Sequence, residues 1–264
     1  MVAGASVLAV VRVAFSRFDL ARIGQRILPK EQADSGYIAH CALTGLWGDR
    51  APRPFMLEHE RMTSSHLPIL GYVKVPASYV RQDQIDLLRA ELVDMAKISA
   101  SIDCFNAVDW SAFQAKPLPS TWTAGRFFKF RTKCCPVQRI QGRDVDVYSP
   151  ARGIYDHSGR GRARAYQIWI SSLLEREGIV RVHNANLLSS KKVTVFRRTQ
   201  NKSKVNEYET TYGHTRKPVF FEIPEATFEG LLEIVDAPKF NEFLQRGVGH
   251  HRGFGYGMIT LTPS

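Results

Sequence analysis

Segments with strand and helix patterns alternate along this chain, and the order of the first half returns in the last hundred residues. In the first half, residues 6–15 are rich in β-branched side chains and predict a strand, whereas residues 20–28 have apolar residues at helical spacing. In the second half, residues 163–176 predict a helix and residues 258–262 a final strand. This order, repeated twice, predicts an α+β fold of two tandem ferredoxin-like (RRM-like) domains with a helical, basic insertion.

Three sections of the chain follow from this order. Residues 1–140 are expected to form the N-terminal ferredoxin-like domain, which contains the first helix and closes with a strand at 126–133. Residues 141–164 are rich in glycine and arginine and predict a linker or insertion, and residues 165–264 predict the C-terminal domain with its glycine-rich loop. Further predicted elements are helices at 34–43 and 82–100, strands at 54–59, 67–75, 192–198, 219–223 and 227–235, and a helix that begins at Asp236 and ends at Gly247.

Positive charge is concentrated in one region of the chain. The protein has 36 Lys plus Arg against 25 Asp plus Glu, a net charge of +11. Residues 126–204 alone hold 18 Lys plus Arg and 5 Asp plus Glu, so their surplus exceeds that of the whole chain. A regional surplus of this size favours a polyanionic partner such as nucleic acid, although a ribosome-associated or merely basic protein fits the charge as well.

The cysteines and the apolar N-terminus narrow the class of protein further. Cys41, Cys104, Cys134 and Cys135 form no C-x-x-C pair, so all four are expected to be reduced thiols in a cytoplasmic protein. Residues 1–11 are apolar but too short to span a bilayer, and no membrane association is expected. The histidines lack the spacing of metal ligands, so neither a metal nor another cofactor is expected.

A glycine-rich loop at residues 247–257, Gly-Val-Gly-His-His-Arg-Gly-Phe-Gly-Tyr-Gly, is the strongest local motif. Phosphate-binding loops of nucleotide-binding proteins follow a strand and open a helix, whereas this loop follows a helix and opens a strand. Backbone amides without side chains, next to cations, suit a ribose-phosphate chain, although a long turn with positive φ angles fits the glycines as well. The loop residues expected to contact RNA are Gly247, Gly249, His250, His251, Arg252, Gly253 and Gly255.

Three stretches of the sequence resemble one known family. In the C-terminal stretch a strand, an Asp-Ala-Pro helix and the glycine-rich loop follow each other in the family's order. The chain thereby resembles the CRISPR-associated endoribonucleases that process guide-RNA precursors, within the RAMP superfamily, and most of all the CasE type. The three stretches are the C-terminal one at residues 228–238, 243–249 and 253–263, the Arg-Phe-Phe-Lys-Phe-Arg strand at 126–131, and Ala-Phe-Ser-Arg at 14–17 with the later Tyr-Ile-Ala-His at 37–40.

The resemblance implies metal-free cleavage of a CRISPR repeat RNA beside its hairpin, which yields mature guide RNA. In this reaction the ribose 2′-hydroxyl attacks the adjacent phosphate and leaves a 2′,3′-cyclic phosphate and a 5′-hydroxyl. The implied partners are the repeat hairpin and the other subunits of a CRISPR effector complex in which the protein stays bound. Residues 76–125 and 141–160 match nothing in the family, which fits an arginine-rich, divergent member such as those of type IV systems.

The first helix departs from the family where catalysis is concerned. CasE-type enzymes place a catalytic histidine on this helix, and the aligned position here is Gly24. Arg22 and Arg26 are four residues apart and share one helix face, so we hypothesise that they stabilise the charge of the phosphorane; two solvated arginines would show the same spacing. His40 is the candidate proton carrier because imidazole titrates near neutral pH, and a core histidine under the second helix is the alternative.

Basic residues outside the loop predict a surface for the RNA hairpin, since A-form RNA is recognised largely through its shape, phosphates and 2′-hydroxyls. Two alternatives to an endoribonuclease stay open: a non-catalytic RNA-binding subunit with the same fold, and a basic structural protein of a ribosome-like particle. The predicted RNA-binding residues are Arg126, Lys129, Arg131, Arg139, Arg143, Arg160, Arg162, Arg164, Lys191, Lys192, Arg197 and Arg198.

Overall fold

The first half of the chain forms a β-α-β-β-α-β unit. In the computed structural model, its elements are β1 (Ser6–Ser16), α1 (Arg17–Ile27), α2 (Ser35–Trp47), β2 (Phe55–Leu57), β3 (His66–Pro76), α3 (Ile85–Ser99), α4 (Ile102–Asn106) and β4 (Gln114–Pro117). These strands make one antiparallel sheet in the order β2-β3-β1-β4, which is the order of a ferredoxin-like domain. The structure describes residues 6–27, 34–76, 84–141, 143–149, 160–198 and 218–264.

The second half repeats this arrangement. Its elements are β5 (Phe127–Cys134), β6 (Val137–Ile140), β7 (Arg143–Asp146), α5 (Arg160–Glu175), β8 (Val180–Arg198), β9 (Pro218–Ile234), α6 (Phe240–Arg246) and β10 (Ile259–Pro263). The sheet order is β10-β5-β9-β8, again ferredoxin-like, and β6 pairs with β7 in a separate hairpin inserted before α5. The predicted α+β fold of two tandem ferredoxin-like units is therefore confirmed, whereas the described part of the insertion before α5 is a β-hairpin and not the helical segment expected.

Strand β1 is apolar on both faces because it has a core on each side. Val11 and Phe15 belong to the cluster that packs beneath α2 and α3. Leu8 belongs instead to the core of the second unit, together with Tyr72 of β3. The Tyr72 hydroxyl donates a hydrogen bond of 2.6 Å to the Ile259 carbonyl of β10. The two units therefore share a buried interface along the first sheet.

Four elements, β5, β7, β9 and α6, differ from the sequence expectations in the ways given below. Strand β5, expected to close the N-terminal unit, pairs with β9 and β10, so the change of sheet falls between β4 and β5 rather than at residue 140. The expected loop after residue 140 contains β7, which pairs with β6. The two strands expected at 219–223 and 227–235 are one strand, β9, and α6 begins at Phe240 rather than at Asp236. In each case pairing or packing with residues distant in sequence determines the bounds and partners of the element, which the local sequence pattern does not specify.

The described residues contain no helix long and apolar enough to cross a membrane. The same residues contain no group of three or more His, Cys, Asp or Glu side chains that could hold a metal ion. All four cysteines are free thiols, and three of them are buried.

Candidate nucleic-acid interface

The glycine-rich loop, residues 247–257, is held by its own backbone and by β5. The Val248 amide donates to the Gly257 carbonyl over 2.9 Å, and the Gly257 amide donates to the Lys133 carbonyl over 2.7 Å. Gly257 has a φ of 74°, and a Cβ added to it would lie 2.0 Å from the Val248 carbonyl oxygen. Only glycine allows this close return of the loop upon itself.

The N-terminal part of α2 packs directly on the glycine-rich loop. A Cβ added to Gly36 would lie 2.2 Å from the Phe254 carbonyl oxygen, so helix and loop touch through backbone. The Tyr37 ring is stacked against Phe254 at a centroid distance of 6.0 Å and meets Phe196 of β8 edge-on at 4.6 Å. Asp34 caps α2 by accepting the Tyr37 amide over 2.9 Å, and it also accepts the Phe196 amide over 2.8 Å. The first unit is thereby fixed to the loop and to β8.

His40 lies one helical turn further along α2, at this same junction. Its ring centroid is 4.9 Å from that of Phe254 and 6.3 Å from that of Tyr37. The side chain is half-buried, so it is neither a fully enclosed core histidine nor a surface residue. The structure thus brings two features that the sequence singled out, His40 and the glycine-rich loop, into contact.

Arg22 and Arg26 share a carboxylate partner. Arg22 Nη2 lies 3.2 Å from Asp103 of α4, and Arg26 also donates to Asp103. Their side chains are 45% and 60% exposed, and Asp19 lies 3.7 Å from Arg22. Within the described residues, neither arginine forms a hydrogen bond or ion pair with the glycine-rich loop. The two guanidinium groups lie together, as their spacing predicts, but with an acidic partner that the sequence did not reveal.

A polar cluster that the sequence did not reveal holds the other end of the loop. The Tyr256 hydroxyl donates to Glu225 of β9 over 2.9 Å, and the ammonium groups of Lys133 and Lys191 lie 3.6 Å and 3.4 Å from the same carboxylate. Burial, followed by the charge of Glu225, raises the pKa of Tyr256. Partial burial, followed by the charge of Lys133, lowers the pKa of the nearby His59 below its usual value. The tyrosine therefore stays protonated at neutral pH and ties the loop to β9.

An open cavity of about 860 Å³, here called the α5 groove, lies between α5, the β6–β7 hairpin and the start of the glycine-rich loop. Arginine side chains surround it from all three elements. Of the predicted RNA-binding residues, those that line the α5 groove are Arg139, Arg164, Gly247, Gly249, His250 and Arg252.

Other predicted RNA-binding residues lie elsewhere. His251 turns away from the α5 groove, with its Nε2 3.6 Å from Asp144. Arg162 pairs with Asp146 at 3.0 Å and donates to the Tyr166 hydroxyl at 2.8 Å, so it is part of an internal network. Gly253 borders open space.

The predicted basic residues on and next to β5 and β8 differ in their surroundings. Arg131 of β5 is paired with Glu60 of the first unit, and the Arg126 guanidinium lies 5.4 Å from the centre of the Phe128 ring. Lys129 on β5 and Lys191 and Lys192 on β8 are exposed. The side chains of Arg143, Arg160, Arg197 and Arg198 lie outside the described part of the structure.

The fold and the groove define a class: double ferredoxin-like proteins with a basic groove beside a C-terminal glycine-rich loop. A family model described as CRISPR associated protein matches residues 15–263, and the chain belongs to this family. No protein of curated function matches the chain significantly.

Solved structures with the same fold align with almost the whole chain. A CRISPR endoribonuclease Cse3 bound to a 19-nt RNA is 17% identical, with a TM-score of 0.57, and the match covers 97% of this chain and 100% of that one. Thermus thermophilus Cse3, bound to an RNA representing a pre-cleavage complex, is 16% identical with a TM-score of 0.56 and the same coverage. Cas6e from Escherichia coli K-12 is 16% identical with a TM-score of 0.52, again over 97% and 100% of the two chains. These similarities support the double ferredoxin-like fold.

Proposed function

We propose that this protein binds the hairpin of a CRISPR repeat RNA, cleaves the strand beside it as an endoribonuclease, and stays with the guide RNA in an effector complex. The observation that carries the proposal is the contact of His40 with a glycine-rich loop that also borders the arginine-lined α5 groove. A group able to transfer protons and a surface able to bind phosphates thereby meet at one loop. The Cse3 structures bound to RNA, which share the fold, support this function.

The subunit role rests on a second similarity. A chain of a CRISPR RNA-guided surveillance complex in a pre-nicking state has the same fold, at 14% identity and a TM-score of 0.52. Product retention suits such a role, because a processed guide RNA that stays bound can assemble with further subunits. The enzyme then needs only one turnover.

The proposed chemistry is attack of a ribose 2′-oxygen on the adjacent phosphorus. The bond from phosphorus to the 5′-oxygen breaks, and the products are a 2′,3′-cyclic phosphate and a 5′-hydroxyl. His40 accepts the proton of the 2′-hydroxyl or donates one to the leaving oxygen, and no metal ion takes part. Arg22 and Arg26 stabilise the charge of the phosphorane once a phosphate has taken the place of Asp103.

The test is incubation of the purified protein with a repeat-hairpin RNA in EDTA, beside a copy with a 2′-deoxy sugar at the cut. Cleavage of the first RNA alone is expected. His40→Ala should abolish cleavage and spare binding, whereas His183→Ala, a histidine paired with Glu233 on the second sheet, should leave both unchanged. The double variant Arg22→Ala, Arg26→Ala should also cut poorly and still bind; undiminished cleavage would remove these arginines from the mechanism.

A second candidate function is RNA binding without cleavage. It is favoured by the absence of histidine from α1 (Arg17–Ile27) and by the pairing of both α1 arginines with Asp103. In that case the hairpin would bind tightly in EDTA and stay intact, and His40→Ala would change nothing.

A further inference from the structure

Helix α5 has an apolar stripe in addition to the one that it buries. Tyr166, Ile170 and Leu174 are buried against the sheet, as expected for an amphipathic helix. The neighbouring stripe, which includes Ile168 and Trp169, faces the α5 groove, and Ile168 is 53% exposed. Apolar side chains exposed side by side in a cavity are typical of a ligand-binding surface.

Trp169 lies where the glycine-rich loop crosses the groove. A Cβ added to Gly249 would lie 3.8 Å from Cη2 of the indole and 3.7 Å from Leu173. The loop therefore runs past the edge of the indole as bare backbone, and no loop side chain at this position covers the ring. Trp169 itself is half-buried.

The rim of the groove is positively charged, whereas its floor is apolar. Arg164 of α5 and Arg176, which follows the last residue of α5, have no carboxylate within ion-pair distance among the described residues. Arg246 is paired with Glu177 at 2.6 Å, and Arg252 donates to the Arg246 carbonyl over 3.0 Å. An apolar, aromatic floor under two guanidinium groups that lack a carboxylate partner in the described part of the chain matches a nucleotide, which has an apolar base face and an anionic phosphate.

We infer that the α5 groove binds unpaired nucleotides of the RNA, with a base against Trp169 and Ile168 and phosphates on Arg164 and Arg176. This inference rests on the proposed function and names the part of the RNA that the groove recognises. A duplex keeps its base faces stacked inside and offers only phosphates, hydroxyls and groove edges, so it would leave the apolar floor uncovered. The cavity volume, about 860 Å³, lies in the range of small-ligand sites, roughly 300–1,000 Å³. The groove therefore recognises a single-stranded flank of the hairpin.

The test compares two hairpins with the same stem, one blunt and one with an unpaired flank of four nucleotides. Trp169→Ala should weaken binding of the flanked hairpin at least about fivefold, because base–aromatic stacking contributes roughly 1–3 kcal/mol per base. Binding of the blunt hairpin should change less than twofold, and Trp169→Phe should recover most of the loss. Ile168→Ala removes a second side chain of the groove and tests the inference if Trp169→Ala fails to fold. Ile98→Ala, which removes an exposed apolar side chain of α3, is the matched control.

A separate titration with an unstructured tetraribonucleotide does not depend on the hairpin. Its binding should quench tryptophan emission in the wild type and not in Trp169→Phe. If neither hairpin binds but the tetranucleotide quenches Trp169, the proposed function fails and the groove assignment stands. If both hairpins bind and the flanked one is cut, and Trp169→Ala and Ile168→Ala affect the binding of both equally or not at all, the groove assignment is overturned. Absence of tetranucleotide quenching in the wild type overturns it as well.

Discussion

Replacement of Gly36 by alanine tests whether α2 must touch the glycine-rich loop for cleavage to occur. The new Cβ would lie 2.2 Å from the Phe254 carbonyl oxygen and 3.2 Å from the carbonyl carbon. Non-bonded heavy atoms prefer separations of roughly 3.5 Å, so helix and loop must move apart by about 1 Å. His40, which faces Phe254 from the next turn of α2, moves with the helix relative to the loop.

The stability cost of Gly36→Ala should be small. Overpacking costs about 1–3 kcal/mol, and alanine recovers about 1 kcal/mol relative to glycine within a helix. The net loss is then at most about 2 kcal/mol, which lowers the Tm by no more than about 8 °C in a chain of this size. Displacement of a catalytic group by about 1 Å, by contrast, is expected to slow the reaction on the order of 100-fold.

Single-turnover cleavage of the repeat hairpin measures this effect, with thermal unfolding followed in parallel. The matched control is Ser35→Ala, the exposed neighbour of Gly36 at the start of α2, and it should cleave within about twofold of the wild type. The reasoning is refuted if Gly36→Ala cleaves at the wild-type rate, or if its loss of rate only tracks its unfolded fraction.

Three further outcomes follow from other contacts. Asp103→Asn should increase the single-turnover rate, because it releases the two α1 arginines, and should change the free energy of unfolding by less than about 1 kcal/mol; an unchanged rate argues against a catalytic role for the arginines. Tyr256→Phe should lower the urea-unfolding free energy by about 1.5–3 kcal/mol, the usual range for a hydrogen bond to a charged group, here Glu225; no loss would show that water replaces the hydroxyl. Burial raises the pKa of Cys134 to about 12, which leaves roughly one thiolate in 10⁴ at pH 8, so an aromatic disulfide reagent should label Cys41 first and Cys134 only on unfolding.

Local sequence patterns predicted the type of most elements, because a helix or strand that buries one face repeats its apolar residues at a fixed spacing. The amphipathic helix expected at 82–100 is α3 (Ile85–Ser99), and the apolar strand expected at 6–15 is β1. The sequence shows no comparable pattern that identifies the strands with which a given strand pairs. The cation–aromatic alternation of β5 predicts a strand with one exposed face but not which sheet it joins, and the resemblance that places it in the N-terminal domain is wrong on this point.

Strand β9 shows how a local rule can fail for a physical reason. Pro224 lies between the two strands expected at 219–223 and 227–235, and a proline cannot donate to a central strand's ladder. The pairing of β9 with β5 ends at Ala226, whereas its pairing with β8 continues to Pro218. Pro224 therefore lies where β9 has a neighbour on one side only, and the strand passes through it.

Individual residues of the candidate site were predictable where the residue type itself implied a chemical role. Contacts between residues far apart in the sequence were not. The glycine-rich loop and His40 were identified from sequence, but their contact depends on Gly36, an ordinary helix position until the structure is known. Asp103 and Glu225 were missed because single carboxylates carry no motif, although they hold the α1 arginines and Tyr256.

In the proposed function the glycine-rich loop joins RNA binding to cleavage, and its two sides should respond differently to substitution. On one side Phe254 contacts Tyr37 and His40 of α2, and on the other Gly249 and Arg252 border the α5 groove. A variant that moves α2 away from the loop disturbs only the first side, so it should cleave poorly and bind RNA normally. A variant that unfolds the loop disturbs both sides and should lose binding and cleavage together. Separation of the two effects would show that the loop serves as a rigid connection between a proton-transfer group and an RNA-binding groove.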